Sequence, residues 1–492
     1  MVKNSKLMAN MLSSIGLKIV IIISGFILPR LIITTYGSET NGLVATITQY
    51  LGLIAFLEFG VGAVVQSTLY RSLAAKDNME VSVILASAQR FFNKLGIFLG
   101  VYVIFLIMIL PYVINGNVNV VYSAMLIVSI SVSMFAQYFF GIVNTLLLNS
   151  DQKIYVSSNI QTVTIIANTI ISIILIDIGA DICTVKFISS VVFLIRPIYL
   201  SWYVKGHYNL IKDAKYNKEP IKQKWNGFAQ HIMAIGINSA PVIILSVLGS
   251  LSMVSVYSVY NLIITGVQSF ILSYYDAIKP YIGKIISRGD EEELSREFKR
   301  INWIFNNITT LLYAIASVLI IPFIEIYMNG NIEYIIPSFS ILFIVASAFY
   351  CYHLPYNAFI LGLGHFKETQ NNYFFAVVID FSISAIGVYF HGIIGVAYGL
   401  LAAMLYQTLW TAHYDCKFIK NFKFCYVTKQ LITNIFLLCT IYCLSNMFSI
   451  NEISYFSWTI HAMKVSFAGC IIVVVVNLLF YREYMMDVFK IR

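Results

Sequence analysis

IVIIISGFILPRLIITTY (residues 19–36), a Gly37-Ser38 turn and LVATITQYLGLIAFLEFGVGAVV (residues 43–65) form one apolar hairpin between Lys18 and Arg71. About 20 apolar residues of helix span a bilayer, so this stretch crosses it twice. Lys18, Arg30 and Glu58 lie within it all the same. An ionisable side chain in the hydrocarbon costs roughly 2.5–3.5 kcal/mol on insertion scales, so a site or a water-filled cavity is expected against Arg30 and Glu58. Pro29 cannot donate to the carbonyl of Gly25, which puts a weak point beside the buried arginine.

The rest of the chain has the same character: 492 residues, 59% hydrophobic, 11% charged, mean hydropathy +0.80. Only helices and closed barrels satisfy their backbone in lipid, and barrel strands would alternate apolar with polar residues. Continuous apolar runs therefore mean an all-α integral membrane protein. Lys3 and Lys6 before an apolar run resemble a signal peptide. The run is too long, holds Lys18 and Arg30 and has no small-residue cleavage site, so a retained helix is expected. Cys183, Cys351, Cys416, Cys425, Cys439, Cys443 and Cys470 form no CxxC and no metal spacing with His, and read as small apolar residues. No metal or cofactor is expected, and without a GxxxxGK[ST] loop no ATP hydrolysis by this chain.

Apolar runs and their breaks give about 14 transmembrane helices, near 13–35, 43–65, 84–111, 120–146, 155–177, 183–204, 228–249, 254–278, 301–326, 334–361, 371–390, 393–414, 430–449 and 458–480. With a cytoplasmic N-terminus, 27 of the 32 Lys and Arg fall in inner segments, and the other five, Lys18, Arg30, Lys186, Arg196 and Lys464, lie in spans or at their edges. The positive-inside rule then puts both termini in the cytoplasm. It also assigns the net charge of +9 to that membrane face and not to nucleic acid. Trp202, Trp225, Trp303, Trp410 and Trp458 sit near span ends, as interface anchors do.

An internal repeat appears at an offset of 212, pairing Pro29 with Pro241 and Gly37-Ser38 with Gly249-Ser250; one residue further on, Asp77 pairs with Asp290 and Gly179 with Gly392. The expected organisation is two six-helix lobes in parallel repeat plus two extra C-terminal helices. Residues 1–204 form the N-terminal lobe, 205–227 a basic cytoplasmic linker with Pro220, 228–417 the C-terminal lobe, and 418–492 the two additional helices and a cytoplasmic tail. Each lobe has an amphipathic lead-in to its third helix. Asp290 caps Glu291, Glu292 and Glu293 and an apolar side of Leu294, Phe298 and Ile301, and Asp77 begins a similar run with Val81, Ile84, Leu85 and Ala88. Both are expected to lie on the inner membrane surface.

Arg196, before Pro197 in the sixth span, and Asp380, in the eleventh, are too deep to snorkel easily. Lys18, Lys186, Asp276 and Lys464 lie nearer the interfaces, where snorkelling accounts for them. Counted from the outer turn, Arg30 is roughly 8 Å deep and Glu58 roughly 22 Å, so they are not expected to touch. His231 could relay protons, but one His beside a helix end is ordinarily a polar contact. The matching proline-bearing spans are the sequence pointer to a transporter's central site and make Pro29 and Pro241 candidate hinges. A cavity floored by them and holding Arg30 and Arg196, with Lys18 in support, suits an anionic substrate, because arginine grips phosphate oxygens bidentately. Glu58 and Asp380 are left for coupling or lobe pairing.

With this 6+6+2 plan, with Leu57-Glu58-Phe59-Gly60-Val61-Gly62, Arg196-Pro197, Lys279-Pro280 through Gly289-Asp290, and Gly392-Ile393-Ile394-Gly395-Val396-Ala397, the chain resembles the polysaccharide transporter (Wzx-type repeat-unit flippase) family of the multidrug/oligosaccharidyl-lipid/polysaccharide exporter superfamily. The resemblance implies export of undecaprenyl-diphosphate-linked oligosaccharide across the bacterial cytoplasmic membrane by alternating access, for capsule, O-antigen or exopolysaccharide. It implies lipid-linked oligosaccharide, membrane lipids and polysaccharide polymerase machinery as partners, and it places the cationic cavity at Arg30 and Arg196. The alternatives are an ion-coupled multidrug or lipid-precursor exporter, for which Glu58 and Asp380 speak, and a membrane glycosyltransferase or polymerase, for which only the carboxylate pair Asp177 and Asp181 speaks. No enzyme is expected, since every outer loop is short.

Overall fold

A computed structural model of the chain describes residues 2–58, 60–115, 119–211, 228–445 and 454–489, without the side chains of 2–5, 228–232, 234, 445 and 487–489. Phe59, Pro220, Trp225 and most of the basic linker, the side chain of His231, and Lys490 and Arg492 lie outside the described residues. Among the described residues no strand occurs. Thirteen helical segments there are long and apolar enough to cross a membrane, and the shorter apolar stretch Ile235–Leu248 supplies a fourteenth. The protein is a multi-pass membrane protein.

The chain forms two compact units, Met1–Ser255 and Val256–Arg492. In the first, α1 (Val2–Tyr36) runs unbroken through Pro29. The second span is interrupted: α2 (Ser38–Gly52) tightens into a 3-10 segment, Leu53–Glu58, and α3 (Val61–Ala74) starts after Gly60, whose φ of 70° favours glycine. Then come α4 (Asn78–Val113), α5 (Val120–Ala136), a π turn at Gln137–Gly141, α6 (Ile142–Ser150), α7 (Ile154–Asp177), α8 (Ile182–Phe193) and α9 (Ile195–His207). The break between α8 and α9 falls where Pro197 has no N–H for the carbonyl of Phe193. The repeat's seventh span, α10 (Phe228–Leu248), runs through Pro241 and packs within this first unit against α2.

The unit boundary falls inside α11 (Leu251–Arg288). The second unit continues with α12 (Glu291–Tyr327), α13 (Pro337–Tyr352), α14 (Leu354–Leu363), α15 (Phe366–His391), α16 (Ile394–Asp415), α17 (Phe424–Ser445), α18 (Tyr455–Phe480) and the short α19 (Arg482–Phe489). The repeat is visible in the helix ends. Helix α4 opens at Asn78 behind the Asp77 cap, and α12 opens at Glu291 behind Asp290. The lead-ins read from sequence as surface helices are the first turns of these long helices, not separate elements.

The freed carbonyls of the irregular spans find donors on α4. The Tyr102 hydroxyl donates to the carbonyl of Tyr50 at 2.8 Å, where α2 gives way to the 3-10 turn. Gln89 Nε2 donates to the carbonyl of Phe139 at 2.9 Å, inside the π turn. In lipid a buried carbonyl without a donor is expensive, so α4 makes both irregularities tolerable.

The last two spans are fixed to α12 by amides. Asn302 Nδ2 donates to Tyr356 at 2.8 Å and to Gln430 Oε1 at 3.2 Å, and Asn434 Nδ2 donates to Asn306 Oδ1 at 3.0 Å. On the α18 side, Trp303 Nε1 donates to Asn477 Oδ1 at 2.8 Å, and Asn477 Nδ2 to Asn307 Oδ1 at 2.6 Å. Helix α19 closes this end with a small core of Trp303, Tyr481 and Met485.

Candidate functional site

Helix α7 serves as a depth ruler for the intramembrane charges of the first unit. Tyr155 donates its N–H to Asn10 Oδ1 at 2.9 Å, and Ser24 and Thr169 share a 2.7 Å hydroxyl bond, so α1 and α7 run side by side in constant register. That register puts Arg30 beside Leu175, near the Gly37 end, and Lys18 beside Val163. Helix α9 returns antiparallel to α7, with Tyr203 hydrogen-bonded to Tyr155, so Arg196 lies at the depth of Lys18. Arg30 and Arg196 are therefore on the order of 15 Å apart along the helix axes. The two arginines occupy different depths, Arg196 and Lys18 in one layer and Arg30 in another.

Arg30 is half-buried and engaged by its surroundings. Arg196 is half-buried, and its Nε has no hydrogen-bond partner among the described residues. Lys18 is exposed on α1, and Lys186 is half-buried on α8. Asp276 and Lys464 are exposed, as snorkelling side chains are, and Asp276 pairs with Lys279 at 3.9 Å. Glu58 ends the 3-10 turn and accepts from the Tyr138 hydroxyl at 2.8 Å, so the irregular parts of the second and fourth spans meet at a carboxylate. Sequence reasoning placed Glu58 but missed Tyr138 and Gln89. A π turn has no residue signature, and only the run Gln137-Tyr138-Phe139-Phe140-Gly141 hinted at it.

In the second unit Asp380 is wholly buried on α15. Ser384 donates to its Oδ1 at 3.1 Å, and its Oδ2 has no partner among the described residues. Asp181, half of the carboxylate pair that would have favoured an enzyme, caps α8 by accepting from the N–H of Cys183 at 2.8 Å.

Near Pro241, α10 and the start of α11 are closed onto α2 within the first unit. A Cβ on Gly42 would stand 1.8 Å from the carbonyl oxygen of Leu251, so backbone touches backbone there. Asn41 Nδ2 donates to Ser255 at 2.8 Å and Gln49 Nε2 to Ser239 at 2.7 Å. Asn115 adds two bonds, from its N–H to the carbonyl of Ser246 at 2.8 Å and from Nδ2 to that of Gly249 at 2.7 Å. Small residues and neutral amides make such a seam tight without an ion pair to break.

A cavity of about 430 Å³ opens beside α17, lined by Cys425, Thr428, Lys429, Ile432, Thr433, Phe436 and Phe480. Ile432, Phe436 and Phe480 are exposed on the outer surface of the helices, so it is a groove toward lipid. Lys429 closes one end, with Nζ 3.3 Å from the carbonyl of Phe480 and 5.0 Å from the Tyr481 ring centre. Among the described residues no group of three or more His, Cys, Asp or Glu could hold a metal ion.

No protein-family model and no curated protein matches the chain. Its fold does occur among solved structures. It aligns with the lipid II flippase MurJ, inward closed conformation, at a TM-score of 0.70 and 15% identity, covering 96% of this chain and 100% of that one. It aligns with an inward-facing multidrug resistance MATE family transporter of the MOP superfamily at 0.63 and 15%, covering 81% and 96%. A MOP superfamily transporter from Pyrococcus furiosus, described as having a binding pocket of reverse polarity, aligns at 0.57 and 15%, covering 82% and 95%. At such identity the likeness is one of fold.

Proposed function

We propose that the protein is a MOP-superfamily flippase of the Wzx type. It would move undecaprenyl-diphosphate-linked oligosaccharide from the inner to the outer leaflet of a bacterial cytoplasmic membrane, with both termini in the cytoplasm. The observation that carries this reading is the layered set of cations in the first unit, Lys18 with Arg196 and then Arg30. Because the two arginines lie on the order of 15 Å apart in depth, the diphosphate meets them in succession and not together. Each negative charge gains roughly 2.3 kcal/mol on moving outward against 100 mV, inside negative. What the chain must supply is a desolvated route for phosphate, which the cations make affordable.

The groove beside α17 supports a lipid-linked substrate, since it offers an apolar channel to a polyprenyl tail with Lys429 at its end. The fold of a lipid II flippase extends over 96% of this chain, the last spans included, whereas the multidrug transporter covers 81%. With Gly37 on the outer face, the α2–α10 seam is a closed outer gate, and Pro29 and Pro241 flank the helices that must move to open it. Glu58 and Asp380 hold the coupling and pairing roles, and polymerase machinery would receive the product outside.

The runner-up, a drug exporter, draws on the multidrug neighbours and on these two acids. Proteoliposomes of the full-length protein separate the two readings. Fluorescent undecaprenyl-diphosphate oligosaccharide should be translocated and ethidium should not; ethidium transport without lipid translocation would favour the exporter.

A further inference from the structure

Helices α15 and α16 pack antiparallel with almost no space between them at one end. A Cβ on Gly395 would lie 2.1 Å from the backbone of Gly387, and one on Gly399 would lie 2.6 Å from the carbonyl oxygen of Asp380. At the other end the Tyr414 hydroxyl meets His365 Nδ1 at 3.0 Å. This register sets Asp380 beside Ala403 and Asn372 beside Thr411. Along α16, the positions of Asp380, Gln407, Asn372 and Asp415 therefore succeed one another at one helical turn each, about 6 Å.

All four side chains are buried, Asp380, Gln407 and Asp415 completely and Asn372 at 3% exposure. None of them is satisfied by the protein. Asp380 Oδ2, both amide atoms of Gln407, both of Asn372 and both carboxylate oxygens of Asp415 have no hydrogen-bond partner among the described residues. Buried polar atoms are nearly always paired, and each unpaired one is costly, so seven in one file call for an explanation. Asp415 is the sharpest case. It is a carboxylate at the C-terminal end of α16, where the helix dipole is also negative, and no cation of the chain lies within ion-pairing distance among the described residues. Such a group is stabilised by a small positive species or by water leading one to it.

We propose that Asp415, Asn372 and Gln407 form the route by which a small monovalent cation, a proton or sodium, passes between the basic, cytoplasmic end of α16 and the mid-membrane carboxylate Asp380. The route rests on the coupling role given to Asp380 in the proposed function. It adds the entrance and the intermediate steps. Carboxylate, amide and hydroxyl oxygens are the hard donors that sodium prefers, and amides flanked by water pass protons equally well, so the chemistry is shared and the assay must tell the two apart.

The test uses purified full-length protein. Radioactive sodium binding is followed by scintillation proximity, and proton uptake after a pH jump is followed with pyranine in weak buffer. Asp380→Asn should abolish binding of whichever cation is used. The double variant Asn372→Leu with Gln407→Leu, and separately Asp415→Asn, should leave final occupancy unchanged but slow exchange about tenfold. Removing unsatisfied amides should not lower the melting temperature, so slow exchange in a stable protein reports the route and not misfolding. Wild-type exchange rates in both variants, with Asp380-dependent binding intact, would overturn the route and leave the flippase reading standing. Absence of Asp380-dependent binding of either cation would overturn the route together with the coupling role.

Discussion

Gly42 of α2 lies against the carbonyl of Leu251 so closely that even one added carbon would sit 1.8 Å from that oxygen. A backbone oxygen at a helix start cannot swing aside, so a larger residue must part the seam, at a cost of about 1–3 kcal/mol for overpacking. Gly42→Val should therefore hold the outer gate ajar. A cysteine at the fully buried Thr46 should then react with an impermeant maleimide added outside about tenfold faster than in the Gly42 background. Equal rates would show that the seam is no barrier.

The Tyr138–Glu58 bond joins two irregular turns. Tyr138→Phe and Glu58→Gln should each lower thermal stability, and the double variant should lose less than the sum, with a coupling of about 1 kcal/mol. Additive losses would mean that the two turns are held by their α4 donors alone.

The amide bonds that fix α17 to α12 predict an asymmetry. Asn302→Leu strands Gln430 and Tyr356 and should cost about 1–3 kcal/mol, whereas adding Gln430→Leu should recover part of that loss by removing a stranded partner. Melting temperatures in one detergent decide it.

At the membrane surface, Asp290 accepts from the N–H groups of Glu293 and Glu292 at 2.9 and 3.0 Å, and these bonds hold its carboxyl below its ordinary value. A depressed carboxyl contributes stability that is present above the unfolded pKa and is lost as pH falls through the folded one. Asp290→Ala should destabilise the protein at neutral pH, Asp290→Asn should stay near wild type because its oxygen still caps, and the gap between Asp and Ala should narrow in acid. A gap independent of pH would remove the charge from the argument.

Much of this architecture was legible in the sequence, because a hydrocarbon solvent leaves few choices. Runs of apolar residues gave the spans, and the Asp77 and Asp290 caps marked the repeat where the structure has it. The interior of the spans was less legible. Pro29 and Pro241 drew attention as breaks, yet α1 and α10 run through them, whereas the second and fourth spans are broken without proline at Leu53–Glu58 and Gln137–Gly141. Those breaks depend on donors from another helix, Tyr102 and Gln89, and tertiary partners leave no local signal. Asp415, Gln407 and Asn372 were passed over for a related reason: each reads alone as an ordinary polar residue near a helix end or in a mixed stretch, and only burial makes them unusual.

The layered cations are tested most directly by charge substitution in proteoliposomes that carry fluorescent undecaprenyl-diphosphate oligosaccharide. Arg30→Ala and Arg196→Ala should each reduce translocation at least about tenfold at equal protein content. Lysine at either position should restore part of it, because the charge survives without the planar fork, and glutamate should restore none. Full translocation with alanine at both positions would contradict the anionic route and shift the account to Glu58, Asp380 and a cationic substrate.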